Sequence, residues 1–246
     1  MSDVMLEVDD LRICYGDAIA VDGVSFAVTS GRCLAVLGAN GAGKSSIAQA
    51  LAGLIPPDRG TISVEGEDIT GSDAFALARK GIAYLPEGRG IFPGLSTADN
   101  VALGMRILPK DARADAVDRL YSLFPVLGDR RKQQASTLSG GEQQMLAVGR
   151  ALATGPRLFV VDELSLGLAP LVIDKIYEAL EVAKKSGTTM ILIEQYVERA
   201  LEFADDAVVM RRGEIVWSGV ADGAVDEVVQ NYMGGTQSEE ETSVAQ

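Results

Sequence analysis

Cys33-Leu34-Ala35-Val36-Leu37 runs directly into Gly38-Ala39-Asn40-Gly41-Ala42-Gly43-Lys44-Ser45. The first stretch is continuously apolar, as a strand buried on both faces requires. The second follows the spacing G-x-x-x-x-G-K-[ST]. Beyond it, Ile47, Ala48, Leu51 and Ala52 share one helical face. Gly53 can close that helix, and Pro56-Pro57 prevents its continuation. Strand, glycine-rich turn and helix in this order predict a loop whose backbone N–H groups turn inward around phosphates. The helix N-terminus adds positive potential there. Lys44 would neutralise the β- and γ-phosphates, and Ser45 would hold magnesium.

Two further stretches extend the reading. Leu158-Phe159-Val160-Val161 is a second buried strand, and it ends in Asp162-Glu163. Ligands of α/β sheets bind at the carboxyl ends of strands. Asp162 would therefore hold magnesium, directly or through water, and Glu163 would orient or deprotonate the attacking water; a solvated acidic loop after a strand is the plain alternative. Leu138-Ser139-Gly140-Gly141-Glu142-Gln143-Gln144 opens a helix. Ser139 with Glu142 three residues on is a capping box. The same hydroxyl and glycine amides could also bind an anion, and the two readings are compatible.

Composition excludes several chemistries. The chain has 246 residues, with 35 Asp plus Glu against 22 Lys plus Arg, a net charge of -13. That balance argues against nucleic acid as a partner, which needs cations against phosphates. No lysine or arginine follows Arg212, while Glu214, Asp222, Asp226, Glu227 and Glu239 to Glu241 do. The absence of histidine removes His metal sites, Ser-His-Asp triads and any His base. Cys14 and Cys33 have no CxxC spacing, which fits a reducing cytosol. Met1 to Val4 lacks the basic start of a signal peptide, and no apolar run approaches the roughly 18 residues that span a bilayer.

Periodicity places the remaining elements. Val4 to Val8 and Leu11 to Tyr15 read as separate strands broken at Asp9-Asp10, with Val24 to Val28 and Thr61 to Val64 beside them. The block around residues 90 to 155 reads as helical. Ser96 or Thr97 caps a short helix, and Pro109 precedes one with Val117, Leu120, Tyr121 and Phe124 inward. A helix from Pro170 to Ser186, a buried strand from Met190 to Ile193, and a helix from Tyr196 to Phe203 follow. Ala207 to Met210 and Glu214 to Trp217 form a hairpin. Arg130-Arg131-Lys132 reads as a solvated run. The alternation gives a parallel α/β sheet interrupted by a helical insertion. The expected organisation is one domain over 1–235, with an α/β core over 1–88 and 157–235, a helical subdomain over 89–156, and a disordered acidic tail over 236–246.

The LSGGEQQ stretch, with the phosphate loop before it and Asp162-Glu163 after it, resembles the ABC ATPases over almost the whole chain. The resemblance implies an α/β P-loop fold with a mostly parallel RecA-like core sheet, an N-terminal antiparallel β-subdomain and an inserted helical subdomain. It implies ATP as the ligand, contacted by Gly38 through Ser46, with Tyr15 where an aromatic ring stacks on adenine. A strand-end tyrosine is the plain alternative for Tyr15. It implies head-to-tail pairing of two ATPase domains, so that Ser139, Gly140, Gly141 and Glu142 of one reach the ATP of the other. Ser165-Leu166-Gly167-Leu168 would lie at that seam.

Finer features, GEQQM, SLGLAP and IEQ, resemble the ATPase subunits of bacterial branched-chain amino acid importers. That resemblance implies a second ATPase, as heterodimer or homodimer, two membrane-spanning permease subunits and an external solute-binding protein. The chain would sit on the cytoplasmic face of the inner membrane. An ATPase for another small solute such as urea, amides or other amino acids, or for lipid export, is the alternative. A soluble switch protein of the same family fits less well. Three positions depart from the usual pattern. Glu87 stands where most relatives have glutamine, and could bind magnesium or couple to the permease. Gln195 stands where most have histidine, and an amide cannot take a proton near neutral pH. Leu164 replaces the usual proline, removing a fixed φ.

Overall fold

The computed structural model describes residues 4–88, 90–165 and 167–233. The expected tail over 236–246 lies outside the described residues, as do Arg89 and Leu166. In chain order the elements begin with β1 (Val4–Tyr15), β2 (Ala18–Thr29), β3 (Cys33–Gly38) and α1 (Lys44–Leu51). Next come β4 (Arg59–Val64), β5 (Glu67–Asp68), α2 (Ala74–Arg79) and β6 (Ile82–Leu85). Then follow α3 (Thr97–Gly104), α4 (Arg113–Leu123), α5 (Pro125–Asp129) and α6 (Gly140–Leu152). The last are β7 (Leu158–Asp162), α7 (Pro170–Lys185), β8 (Thr189–Glu194), α8 (Val197–Phe203), β9 (Asp206–Arg211), β10 (Glu214–Val220) and α9 (Val225–Met233).

Two sheets result. One has the order β2-β1-β4-β5 and is antiparallel; the other runs β10-β9-β3-β8-β7-β6. In the second, β9, β3, β8, β7 and β6 are parallel and only β10 reverses. The helices from α3 to α6 all fall between β6 and β7.

The parallel strands are buried on both faces, and their residues alternate between two cores. Cys33, Ala35, Leu37, Phe159, Val161, Met190 and Leu192 pack with the helices of the inserted block and with α7 and α8. Leu34, Val36, Leu158, Val160, Ile191 and Ile193 pack on the opposite side with α1 and the antiparallel sheet. Each fully buried aliphatic side chain of this kind contributes roughly 1.5–3 kcal/mol. In the helical block, Leu120 and Phe124 pack inward with α6 as expected, while Val117 and Tyr121 are partly buried against the same core.

The expected break at Asp9-Asp10 is not one. β1 runs through it as a single strand, and the register with β2 shifts between Val8 and Leu11. Asp10 adopts φ 46°, and its N–H donates to the Ser25 hydroxyl at 2.8 Å. An acidic pair that is unfavourable in a regular strand is accommodated as a bulge. The hairpin turn is Arg212-Gly213, both with positive φ, while Arg211 still belongs to β9. This geometry suits the twist of the flanking strands.

Helix α6 starts on the anticipated capping box. The Glu142 amide donates to the Ser139 hydroxyl at 3.3 Å, and the Ser139 amide donates to the Glu142 carboxylate at 2.9 Å. The basic run Arg130-Arg131-Lys132 is exposed, as expected, and two of its members also find partners. Arg130 pairs with Glu142 at 2.7 Å, and the Arg131 guanidinium lies 4.1 Å over the Tyr121 ring. Burial alone would raise the Glu142 carboxyl; bonds from Ser139 and the charge of Arg130 outweigh it and hold it below the ordinary glutamate value.

Two outcomes follow from this packing. Phe124→Ala should destabilise the chain by about 3–5 kcal/mol, read from chemical denaturation. Because Glu142 is depressed in the folded state, its contribution is present above the unfolded glutamate pKa and lost as pH falls through the folded one. Stability of Glu142→Gln should therefore depend less steeply on pH across that acid range; an unchanged slope in a denaturation series would contradict it.

Candidate functional site

The parallel register brings the carboxyl ends of β3, β7 and β8 to one edge, with β8 between the other two. The loop after β3, the acidic pair ending β7 and the Gln195 that follows β8 therefore converge. Asn40, Gly41, Gly43, Lys44, Ser45, Ser46, Glu87 and Glu163 line one cavity of about 360 Å³, together with Ala20.

The loop is closed too tightly for side chains at two places. A Cβ on Gly38 would meet the Met210 carbonyl at 2.4 Å, and one on Gly43 the Ala20 carbonyl at 2.3 Å. Gly43 also has φ 102°, which favours glycine. The hairpin turn supports the loop from outside, since the Gly213 amide donates to the Ala42 carbonyl at 3.1 Å. Lys44 is 4% exposed. Its ammonium donates to the carbonyls of Gly38 at 2.8 Å and Ala39 at 3.1 Å. Burial pulls its pKa down, and the charges of Glu163, Asp162 and Glu194 oppose that shift.

Beneath the cavity wall, the Ser45 hydroxyl donates to the buried Asp162 at 3.2 Å and the Tyr84 hydroxyl donates to the other oxygen at 3.4 Å. Burial raises the Asp162 carboxyl; the Ser45 bond and Lys44 lower it, while Glu163 and Glu87 raise it further. A divalent cation between Ser45 and Asp162 would relieve that crowding of negative charge, and hydroxyl plus carboxylate are hard oxygen donors suited to magnesium. No group of three or more His, Cys, Asp or Glu among the described residues is placed to hold a metal by itself. Such an ion would take its remaining oxygens from phosphate and water. Glu87 is exposed and shares the cavity without bonding Asp162 or Ser45 among the interactions found.

Glu163 is half-buried and adopts φ 51°. A left-handed conformation costs a non-glycine residue roughly 1–2 kcal/mol. Two bonds hold it there: its amide donates to the Ile193 carbonyl at 3.0 Å, and the Gln195 side-chain amide donates to its carboxylate at 2.7 Å. Leu164, at the position of the usual proline, is 1% exposed and packs in the core. Burial directs the chain after Glu163 where a fixed φ is lacking. Tyr15 is half exposed, and its hydroxyl lies 3.3 Å from the Gln49 side-chain oxygen, to which it can donate, and 3.4 Å from the Ser46 hydroxyl, which lays the ring along the start of α1.

Ser139, Gly140, Gly141 and Glu142 do not line this cavity. Ser139 is exposed at the start of α6. The site also contains Tyr84, which sequence reasoning passed over. Its signal was present, a tyrosine in the short strand before Pro86-Glu87, but its bond to Asp162 depends on the pairing of β6 with β7.

Residues 21–165 match the protein family described as ABC transporter. The chain is 42% identical to the high-affinity branched-chain amino acid transport ATP-binding protein BraG of Pseudomonas aeruginosa, over 94% of this chain and all of that one. It is 33% identical to the Nod factor export ATP-binding protein I of a Bradyrhizobium strain, over 95% of this chain and 78% of that one. Among solved structures, the ADP conformation of MJ1267, an ATP-binding cassette of an ABC transporter, superposes with a TM-score of 0.80 at 25% identity, covering 94% of this chain and 99% of that one. No helix among the described residues is long and apolar enough to cross a membrane. Phosphate loop, acidic strand end and capped LSGGEQQ helix thus sit on the cassette fold, and the chain belongs to the ABC transporter ATP-binding family, as an ATP-hydrolysing subunit of a transporter.

Proposed function

We propose that this subunit energises import of branched-chain amino acids across a bacterial inner membrane, from the cytoplasmic face. The full-length similarity to a relative named for that transport supports the solute. Support for the chemistry comes from one observation: Glu163, fixed by Gln195, faces the same cavity as Lys44 and Ser45. The amides of residues 38 to 46 and the Lys44 ammonium bind the phosphates, exchanging the Gly38 and Ala39 carbonyls for phosphate oxygens. Tyr15 packs on the base. Ser45 and Asp162 would hold magnesium, which would supply positive charge at the reacting phosphate. Glu163 accepts the proton of the attacking water, and Gln195, unable to accept one, keeps Glu163 aimed.

Ser139 is exposed, and none of Ser139 to Glu142 lines this chain's own cavity, which suits contact with the ATP of a second ATPase subunit. A partly apolar groove of about 340 Å³ lies between the core and the helical block, lined among others by Leu54, Ala78, Tyr84, Pro86, Ile107 and Arg150. We assign it to the permease subunits, with an external solute-binding protein completing the importer. Glu87 follows β6 at the edge between groove and cavity, which favours coupling over metal ligation. An exporter is the second reading, favoured by the Nod factor export relative.

Glu163→Gln should nearly abolish hydrolysis while ATP still binds, Lys44→Ala should lose both, and Gln195→Ala should only slow turnover. Retained turnover in Glu163→Gln would refute the base. Co-purification with native membrane subunits should recover two permeases and an ATPase, and the reconstituted complex should accumulate leucine, isoleucine or valine only with ATP. Recovery of ribosomal or chromosomal partners would overturn the transport reading.

A further inference from the structure

Glu194, the last residue of β8, is 1% exposed. A buried carboxylate is costly unless donors surround it. Here the donors come from one residue of a neighbouring segment. The Ser165 hydroxyl donates to one carboxylate oxygen at 2.7 Å and the Ser165 amide to the other at 3.2 Å. Ser165 is itself 4% exposed. Burial raises the Glu194 carboxyl above the ordinary glutamate value, and the bonds from Ser165 oppose that shift.

These contacts close a ring between two short segments, 163–165 and 193–195. Its other links are the Glu163 amide on the Ile193 carbonyl and the Gln195 side chain on Glu163, already described. The β7–β8 ladder ends at Asp162 and Ile193, and Glu194 joins the sheet through its backbone alone, opposite Leu37 of β3. An apolar residue would end a buried strand at less desolvation cost, so the carboxylate is not explained by sheet stability. What it does add is a fixed direction for the two residues beside it. Glu163 needs such support, because its left-handed backbone is held only while its surroundings over-determine it.

We propose that Glu194 is a positioning residue for hydrolysis: by clamping Ser165, it fixes the direction of its chain neighbour Gln195, whose side-chain amide aims the Glu163 carboxylate into the cavity. This inference rests on the reading of Glu163 as the base. Glu194 itself touches no nucleotide and exchanges no proton. Glu194→Gln has the same shape, but it loses the charge, and its NH₂ group can only donate to the Ser165 hydroxyl, so the charge-assisted bond is replaced by a weaker one of reversed direction. Ser165→Ala removes only the hydroxyl link, and Ser165→Thr keeps it.

The test is steady-state ATP hydrolysis by the assembled transporter carrying each variant, with KM for ATP and thermal midpoint measured alongside. Glu194→Gln and Ser165→Ala should each lower kcat by about tenfold or more while KM stays within about twofold, the pattern of a lost transition-state contact. Ser165→Thr should recover most of kcat. The double variant Glu194→Gln with Gln195→Ala should be no slower than the slower single one, because both act through the same amide. If Glu194→Gln fails to assemble, Ser165→Ala and Ser165→Thr carry the test. Parent-like kcat in Ser165→Ala, or effects of Glu194 and Gln195 that multiply, would overturn the inference. Glu163→Gln in the same assay separates the two levels. Turnover in that variant means the base reading fails. An inert Glu163→Gln beside parent-like Glu194→Gln and Ser165→Ala means that only the positioning role fails.

Discussion

The Lys44 ammonium, buried against the carbonyls of Gly38 and Ala39, is the interaction on which the site depends. A buried cation needs partners, and this one finds them in the turn that it closes. The turn in turn needs β3, whose residues are buried on both faces and so fix the point at which the chain leaves the sheet. Gly38 and Gly43 then lie against the Met210 and Ala20 carbonyls, leaving no space for a side chain. Strand, turn and helix are thereby held together as one cradle at a helix N-terminus, a place suited to an anion.

Sheet order supplies the rest. Because β8 lies between β3 and β7, and all three run in the same direction, their carboxyl ends meet at one edge. Residues separated by more than a hundred positions become neighbours there, as the Ser45 bond to Asp162 shows. The carboxylates gathered at this edge repel one another and crowd Asp162. That tension is unfavourable for the protein alone and favourable for a site that takes up a cation with its phosphate. The left-handed backbone at Glu163 belongs to the same pattern, local strain held at the place where we propose that chemistry occurs.

Contiguous features were legible in the sequence. The phosphate loop, the acidic end of β7 and the capping box of α6 each carry their spacing within about a dozen residues, and each forms as that spacing requires. Features made by pairing were not. Tyr84 reaches Asp162 only because β6 pairs with β7, and Arg130 reaches Glu142 only because α5 packs beside α6. The short elements α2 and β6, six and four residues long, offer too little periodicity to be seen. Asp9-Asp10 misled because local composition signals a break, while pairing on both sides of β1 carries the strand through it.

Direct titration of the purified chain with ATP and magnesium by calorimetry tests the cradle itself. The parent should bind one ATP per chain. Gly38→Ala, which forces a Cβ against the Met210 carbonyl, should lose that binding while the denaturation curve still shows a folded protein. Equal affinity in parent and variant would show that the nucleotide is held elsewhere, and would contradict the account.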